Sequence, residues 1–175
     1  MTYYKRILLI VIILFSCVGC DQVTKVTAQK YLASSQLISY LGDIFRLQYT
    51  ENNGAFLSIG AALPAGLRFW LLIVSTGIAV AGMLAFILAK QSLRPSFVIA
   101  ISFIIGGGVG NLIDRTFNNG PVIDFMNIGV GSLRTGVFNI ADVAIMIGMG
   151  MLIVIGRLCS RLQILSNEAL KRDAV

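Results

Sequence analysis

Four apolar stretches, each near the length that crosses a lipid bilayer, most constrain what this chain can fold into. They cover about residues 7–26, 67–89, 96–113 and 137–158, and a membrane-spanning helix needs about 20 apolar residues. Hydrophobic residues make up 57% of the 175 positions and charged residues 13%, a balance that argues against a soluble enzyme. We therefore predict an α-helical membrane protein with four transmembrane helices in a single domain, residues 1–175.

Basic side chains predict how these helices are oriented. They precede the first span, occupy the short loop between the second and third spans, and follow the fourth span: Lys5, Arg6, Lys90, Arg94, Arg157, Arg161, Lys171 and Arg172. Because loops rich in Lys and Arg stay in the cytoplasm, we expect both termini there, with a cytoplasmic tail over residues 159–175. Residues 27–66 and 115–136 are then extracytoplasmic. The net charge of +6 belongs to the cytoplasmic side, so it indicates topology and no nucleic-acid partner.

The chain has no histidine, which excludes Ser-His-Asp and Cys-His nucleophiles and His-ligated zinc. Cys17, Cys20 and Cys159 lie in or beside apolar runs, where a free cysteine behaves as a small buried hydrophobe. Residues 17–20 also imitate the cleavage site of a lipid-modified leader, which would make Cys20 a mature terminus. Three further spans follow, and Cys17 stands where a branched apolar residue is usual, so we favour an uncleaved span.

Two aspartates, Asp124 and Asp142, are the best candidates for chemistry in so apolar a chain. An ionised carboxylate at membrane depth costs roughly 2.5 to 3.5 kcal/mol, so such residues usually face a protected polar interior. If the two meet, their like charges raise one pKa, and the pair can share a proton for acid/base work. Two simpler interpretations remain open: Asp142 could form a helix capping box with Asn139, and Asp124 could be a solvated loop residue.

Two of the predicted membrane-spanning helices each carry several polar residues on one face. Asp21 and Lys25 are four residues apart at the outer end of the first span, and Asn111, Asp114 and Arg115 share one face of the third. Each set could border a site or could be a plain ion pair at a helix end. Gly106 and Gly110 also form a small-x-x-x-small face, which lets helices approach closely.

The first extracytoplasmic segment predicts a strand and a turn. Residues 44–50 alternate partly between apolar and polar side chains, with aromatic and β-branched residues among them. Asn52-Asn53-Gly54 follows and is typical of a turn.

Five motifs follow one another along the chain: Asp21-Gln22-Val23-Thr24-Lys25, Asn53-Gly54-Ala55-Phe56, Gly107-Gly108-Val109-Gly110-Asn111-Leu112-Ile113-Asp114-Arg115, Val122-Ile123-Asp124-Phe125 and Phe138-Asn139-Ile140-Ala141-Asp142. In this order they resemble the signal peptidase II (lipoprotein signal peptidase) family of bacteria. The resemblance covers about residues 5–158. It implies an intramembrane aspartyl endopeptidase of the bacterial cytoplasmic (inner) membrane. Such an enzyme removes signal peptides from diacylglyceryl-modified prolipoproteins, cutting just before the lipidated cysteine.

The same resemblance implies a role for each matching residue. Asp124 and Asp142 would be the catalytic pair. The residues that would line the site or bind substrate are Asn53, Gly54, Asn111, Arg115, Asn139 and Ala141. Asp21, Lys25 and Asp114 would support the architecture, and a small β-sheet cradle around residues 44–56 would lie on the outer membrane face. The resemblance implies that the enzyme needs no metal or cofactor. It also implies that the protein is surrounded by membrane lipids and is a monomer.

Other functions stay open on the sequence. A small four-span proton- or cation-coupled transporter would also carry intramembrane aspartates, although it would place them near the bilayer midplane. A Ser-Lys membrane protease would pair Lys25 or Lys30 with Ser34 or Ser35, and it leaves the aspartates unexplained. A purely structural membrane subunit is the third possibility.

Overall fold

A computed structural model describes residues 1–34, 37–55 and 60–172, the range 163–172 by its backbone alone. Ser35, Phe56 and residues 173–175 of the expected tail lie outside the described residues. In the described part, four helices are long and apolar enough to span a membrane, and they accompany a small sheet. The helices are α1 (Tyr3–Leu32), α2 (Ala65–Ala89), α3 (Pro95–Phe117) and α4 (Ile140–Arg172). The strands are β1 (Ile38–Tyr40), β2 (Phe45–Asn52), β3 (Val122–Val130) and β4 (Leu133–Arg134).

The helices are longer than the apolar stretches that predict them. Helix α1 continues to Leu32, past the expected end at residue 26. The added turns are held in place by Ala28 and Leu32, which pack with Phe125 of β3. Helix α4 begins at Ile140, three residues later than expected, and its backbone stays helical to Arg172 through most of the expected tail.

Helix α3 packs against each of the other three helices, because its glycines let them approach. A methyl group added to Gly106 would meet Cys17 of α1, one on Gly107 would meet the carbonyl of Ala141 on α4, and one on Gly108 would meet Val80 of α2. The predicted close approach at Gly106 and Gly110 is confirmed, since both glycines face α1. Between α1, α2 and α3 lies an apolar core of Ile10, Val80, Ile87, Val98, Ile101 and Ile105.

The strands form one antiparallel sheet with the order β1-β2-β3-β4 in the described part of the chain. The predicted strand over residues 44–50 is confirmed as β2. No strand is predicted from the sequence at residues 122–130, but the structure has β3 there. Residues 122–125 of β3 are buried on both faces, so they show no alternation of apolar and polar side chains by which the strand could be recognised. Phe125 packs on Ala28 and Leu32, which joins the sheet to α1.

The close contact of α3 and α4 predicts different effects for two glycines on α4. A methyl group on buried Gly148 would lie 2.6 Å from the Cγ1 atom of Ile104 and equally close to the carbonyl of Ala100. We expect Gly148→Ala to lower the free energy of unfolding by about 1–3 kcal/mol through overpacking. Gly150, two residues along the same helix, has nothing within 4 Å of such a group, so Gly150→Ala is the matched control. Thermal unfolding in detergent measures both, and equal melting temperatures would refute the packing argument.

Candidate active site

A buried ion cluster lies between α1 and α3. The Nζ atom of Lys25 is 2.8 Å from Oδ2 of Asp21 and 2.9 Å from Oδ2 of Asp114, and it donates a hydrogen bond of 3.0 Å to Oδ1 of Asn111. All three charged side chains are at most 3% exposed. The helical spacing predicted these groupings, but the simple ion pair at a helix end is wrong, because the ions are enclosed by protein. The ammonium group of Lys25 uses its three N–H groups for Asp21, Asp114 and Asn111. Lys25 is therefore not free to act as the base for Ser34 in a Ser-Lys protease.

The two carboxylates of this cluster also hold the elements that follow α3. Oδ1 of Asp21 accepts a hydrogen bond of 2.8 Å from the backbone N–H of Ala141, in the first turn of α4. Oδ2 of Asp114 accepts one of 3.1 Å from the N–H of Ile123 on β3. Gln22, a residue that sequence reasoning missed, donates to Oδ1 of Asp114 at 3.0 Å. The cluster therefore fixes the start of β3 relative to the start of α4.

Asn139 joins the two candidate carboxylates. Its side-chain Nδ2 donates to Oδ1 of Asp124 at 2.6 Å and to Oδ1 of Asn111 at 3.1 Å. Its backbone N–H donates to Oδ2 of Asp142 at 3.2 Å, while the N–H of Asp142 donates to Oδ1 of Asn139 at 2.9 Å. The last two bonds form the predicted capping box at the start of α4. The capping interpretation is thus confirmed, and it also brings Asp142 close to Asp124.

Asp124 lies on β3 and is 1% exposed, so the solvated-loop interpretation is wrong. Besides Asn139, it accepts a hydrogen bond of 2.9 Å from Nδ2 of Asn52 at the end of β2. Burial raises the pKa of Asp124 from 3.8 to about 6. The hydrogen bonds from Asn52 and Asn139 oppose that rise, and the charge of Asp142 adds to it. Asp124 can therefore hold a proton close to neutral pH.

Asp142 is half-buried, and its Oδ1 accepts a hydrogen bond of 2.9 Å from Asn111. Both aspartates line a cavity of about 510 Å³ together with Asn52, Ala55, Leu72, Thr76, Gly108, Asn111, Arg115, Val122, Val137, Ile145, Met146 and Met149. Arg115 closes one side of this cavity and donates a hydrogen bond of 2.9 Å to the carbonyl of Gly54. The arrangement places two carboxyl groups beside a space that can admit a peptide segment.

Two consecutive asparagines, Asn52 and Asn53, lie at the end of β2. The structure brings Asn52 to the carboxylate of Asp124, and it does not bring Asn53 there. Oδ1 of Asn52 accepts a hydrogen bond of 2.9 Å from the N–H of Gly54, so the predicted turn is confirmed as an Asx turn. Asn53 is exposed and lines a neighbouring cavity. The Asn-Asn-Gly motif indicated the turn, but it did not indicate which of the two asparagines directs its side chain to the carboxylates. Within the described residues, no group of three or more His, Cys, Asp or Glu side chains could hold a metal ion.

Comparisons with known proteins agree with this geometry. The family model of signal peptidase (SPase) II matches residues 12–157. The chain belongs to the signal peptidase II family. A lipoprotein signal peptidase of Brevibacillus brevis is 34% identical over 137 residues, which are 78% of this chain and 87% of the relative. A lipoprotein signal peptidase of Chlorobium phaeovibrioides is 36% identical over 151 residues, and the match covers 81% of this chain and 86% of that relative.

Solved structures support the same assignment. A bacterial membrane enzyme superposes with a TM-score of 0.70 at 26% identity, over 93% of this chain and 90% of that chain. Another has a TM-score of 0.67 at 25% identity, over 86% of this chain and 91% of that chain. The chain is therefore a membrane-embedded peptidase of this family, and the transporter interpretation is not supported.

The buried cluster predicts a large effect of removing its cation. We expect Lys25→Met to lower the free energy of unfolding by roughly 3–5 kcal/mol, because it leaves two buried carboxylates uncompensated. Lys30→Met is the matched control, since Lys30 is exposed on the same helix and a surface change there should stay within about 0.5 kcal/mol. Adding Asp21→Asn and Asp114→Asn to Lys25→Met should restore part of the loss. Thermal unfolding in detergent is the measurement, and similar melting temperatures for both lysine variants would contradict the prediction.

The raised pKa of Asp124 predicts how stability depends on pH. The folded protein binds this proton more tightly than the unfolded chain. The stabilisation is therefore fully present below about pH 4 and is lost as the pH rises through about 6, by up to roughly 3 kcal/mol. Asp124→Asn has no such titration, so its stability relative to the wild type should rise from about pH 4 to about pH 7. Parallel melting-temperature curves for the two proteins would rule this out.

Proposed function

We propose that this enzyme is an aspartyl endopeptidase that removes the signal peptide from diacylglyceryl-modified prolipoproteins, with Asp124 and Asp142 as its catalytic pair. The observation that carries the proposal is that one residue, Asn139, binds both carboxylates at the wall of a cavity bounded by helices α2, α3 and α4. Family membership supplies the reaction class, and relatives of similar length are named lipoprotein signal peptidases.

The two carboxyl groups divide the chemistry of peptide hydrolysis between them. Asp124, with its pKa raised to about 6 by burial, supplies the proton, and Asp142 acts as the base. Asp142 accepts a proton from a water molecule as the water oxygen attacks the scissile carbonyl carbon, while Asp124 donates its proton to the carbonyl oxygen. When the tetrahedral intermediate collapses, the C–N bond breaks and the proton held by Asp142 passes to the departing amine. Asp124 regains its proton from the hydroxyl group as the carbonyl reforms.

Asn111, Asn139 and Arg115 position these groups. Asn111 and Asn139 fix the carboxylate orientations through their amide hydrogens. Arg115 fixes the chain after β2 through the carbonyl of Gly54. The substrate would then be bordered by Gly54, Ala141 and Asn53. The cluster of Asp21, Lys25 and Asp114 supports the site by holding the starts of α4 and β3. Asn52 joins this set by its bond to Asp124.

The shape of the cavity suits a substrate that arrives within the bilayer. Leu72 and Thr76 of α2 form one wall, and Ile145, Met146 and Met149 of α4 form the opposite one. Met146 and Met149 are both more than half exposed on the outside of the helix bundle. A signal helix could therefore enter sideways between α2 and α4 while the two acyl chains on the cysteine stay in lipid.

We further propose that both termini lie in the cytoplasm, that the site opens at the extracytoplasmic face of the bacterial inner membrane, and that the chain works as a monomeric single domain. The concentration of Lys and Arg at one end of the predicted spans supports this orientation. The sheet would then form a cradle over the substrate at the outer interface.

The catalytic pair is tested by cleavage of a diacylglyceryl-modified prolipoprotein with purified enzyme in detergent. We expect Asp124→Asn and Asp142→Asn each to lower the cleavage rate by about 10²–10⁴-fold, the usual contribution of a general acid or base. Asp43→Asn is the control, because Asp43 is a half-buried aspartate that pairs with Arg46 and Arg134 and does not line the cavity. Each variant is checked for folding by its melting temperature.

Cleavage that persists in either folded variant would remove that aspartate from the proposed pair. If both variants retained wild-type cleavage, a structural role for the aspartates would be the better interpretation. Loss of activity in Asp43→Asn as well would show that the assay responds to general damage.

A further inference from the structure

A second cavity, of about 370 Å³, lies beside the first and carries positive charge. Its described lining contains two arginines and no acidic side chain: Asn53, Ala65, Arg68, Phe69, Leu72, Ile73, Arg115, Thr116, Asn119 and Gly120. It shares Leu72 and Arg115 with the cavity that holds the carboxylates. Asn53 and Arg115 also belong to the proposed active site, but no acidic side chain in the described lining balances the two arginines, and an anionic ligand would do so.

Both arginines have unused hydrogen-bonding capacity. Arg68 is half-buried, and its guanidinium makes no hydrogen bond or ion pair with any described residue, while its backbone N–H donates to the carbonyl of Pro64. Arg115 is 9% exposed, and its Nε–H has no hydrogen-bond partner among the described residues. A buried guanidinium N–H without a partner is costly, and Arg115 brings its positive charge to the lining of this cavity. Asp124 and Asp142 line the other cavity, and Asp114 is paired with Lys25.

The start of α2 adds to the positive potential. Ala65 and Arg68 lie in the first turn of this helix, which follows Pro64 and contains no acidic residue. No described side chain caps it. The free N–H groups of a first turn favour a bound anion.

The surroundings of the cavity indicate which anion. Phe69 and Trp70, next to Arg68, are 49% and 64% exposed on a membrane-spanning helix, and aromatic side chains are enriched at the level of lipid headgroups. Phe69, Leu72 and Ile73 give the cavity an apolar side that suits the upper part of an acyl chain. We propose that this cavity binds the phosphate group of an anionic membrane phospholipid between Arg68 and Arg115.

A phosphate bound there would join the first turn of α2 to the last turn of α3. It would hold in place the wall of the active-site cavity that Leu72 forms. The inference does not depend on the proposed peptidase reaction, because lipid binding can be measured without substrate.

Trp70 is the one tryptophan in the sequence and follows Phe69, which lines this cavity. The full-length protein is placed in nanodiscs that contain phosphatidylcholine with brominated acyl chains or phosphatidylglycerol with the same chains, at equal mole fraction. We expect brominated phosphatidylglycerol to quench Trp70 with about fivefold higher apparent affinity, the preference that one basic side chain confers at an anionic lipid surface. Arg68→Gln should lose this preference, and Arg68→Lys should keep part of it.

Lys30→Gln is the matched control, since Lys30 is an exposed cation near the end of α1, and it should keep the full preference. Equal quenching by the two lipids in the wild type would overturn the proposal. So would a preference that survives Arg68→Gln or disappears equally in Lys30→Gln, which would indicate diffuse surface charge. Inorganic phosphate that abolished the preference, where sodium chloride of equal ionic strength did not, would assign the cavity to free phosphate. If Arg68→Gln loses the lipid preference and still cleaves the substrate, then lipid binding at this cavity is separate from the proposed peptidase reaction.

Discussion

The ammonium group of Lys25 is the interaction on which the rest of the structure depends. It neutralises carboxylates from two helices, and those carboxylates in turn accept the backbone amides of Ala141 and Ile123. Burying such charges is tolerable only because the described oxygens of the cluster have close donors. The helix that carries Asp142 and the strand that carries Asp124 are therefore positioned by a single cation. Stability and active-site geometry depend on the same few bonds.

The two candidate aspartates differ because they belong to different kinds of element. Asp142 is in the first turn of α4, where the capping box and the helix dipole favour a negative side chain. Asp124 is on a buried strand and has no such helix terminus, and burial raises its pKa. Asn139 joins them because Phe138 exchanges hydrogen bonds with Met126 of β3, which brings the start of α4 alongside the strand. The asymmetry that the proposed reaction needs thus follows from the fold.

The sequence allowed the helical part of this structure to be predicted better than the sheet. Apolar length indicated the spans, and helical spacing grouped Asp21 with Lys25, because both signals are local. Strand β3 gave no alternating pattern, since protein covers both of its faces near Asp124. The choice between Asn52 and its neighbour depended on the pairing of β2 with β3, where Thr50 lies opposite Asp124. That register is a long-range property, and composition does not reveal it.

The methionines along α4 bear on the range of substrates such a site can accept. Met146 and Met149 form the wall of the cavity that is open to lipid, whereas α3, which packs closely on its neighbours through its glycines, forms a more rigid side. An unbranched thioether side chain has several accessible rotamers and adapts to irregular apolar surfaces. Hydrophobic segments of different sequence could fit against this wall equally well, while the rigid side holds the reacting bond in one place. One enzyme could therefore tolerate wide variation in leader sequence without losing precision at the cleavage point.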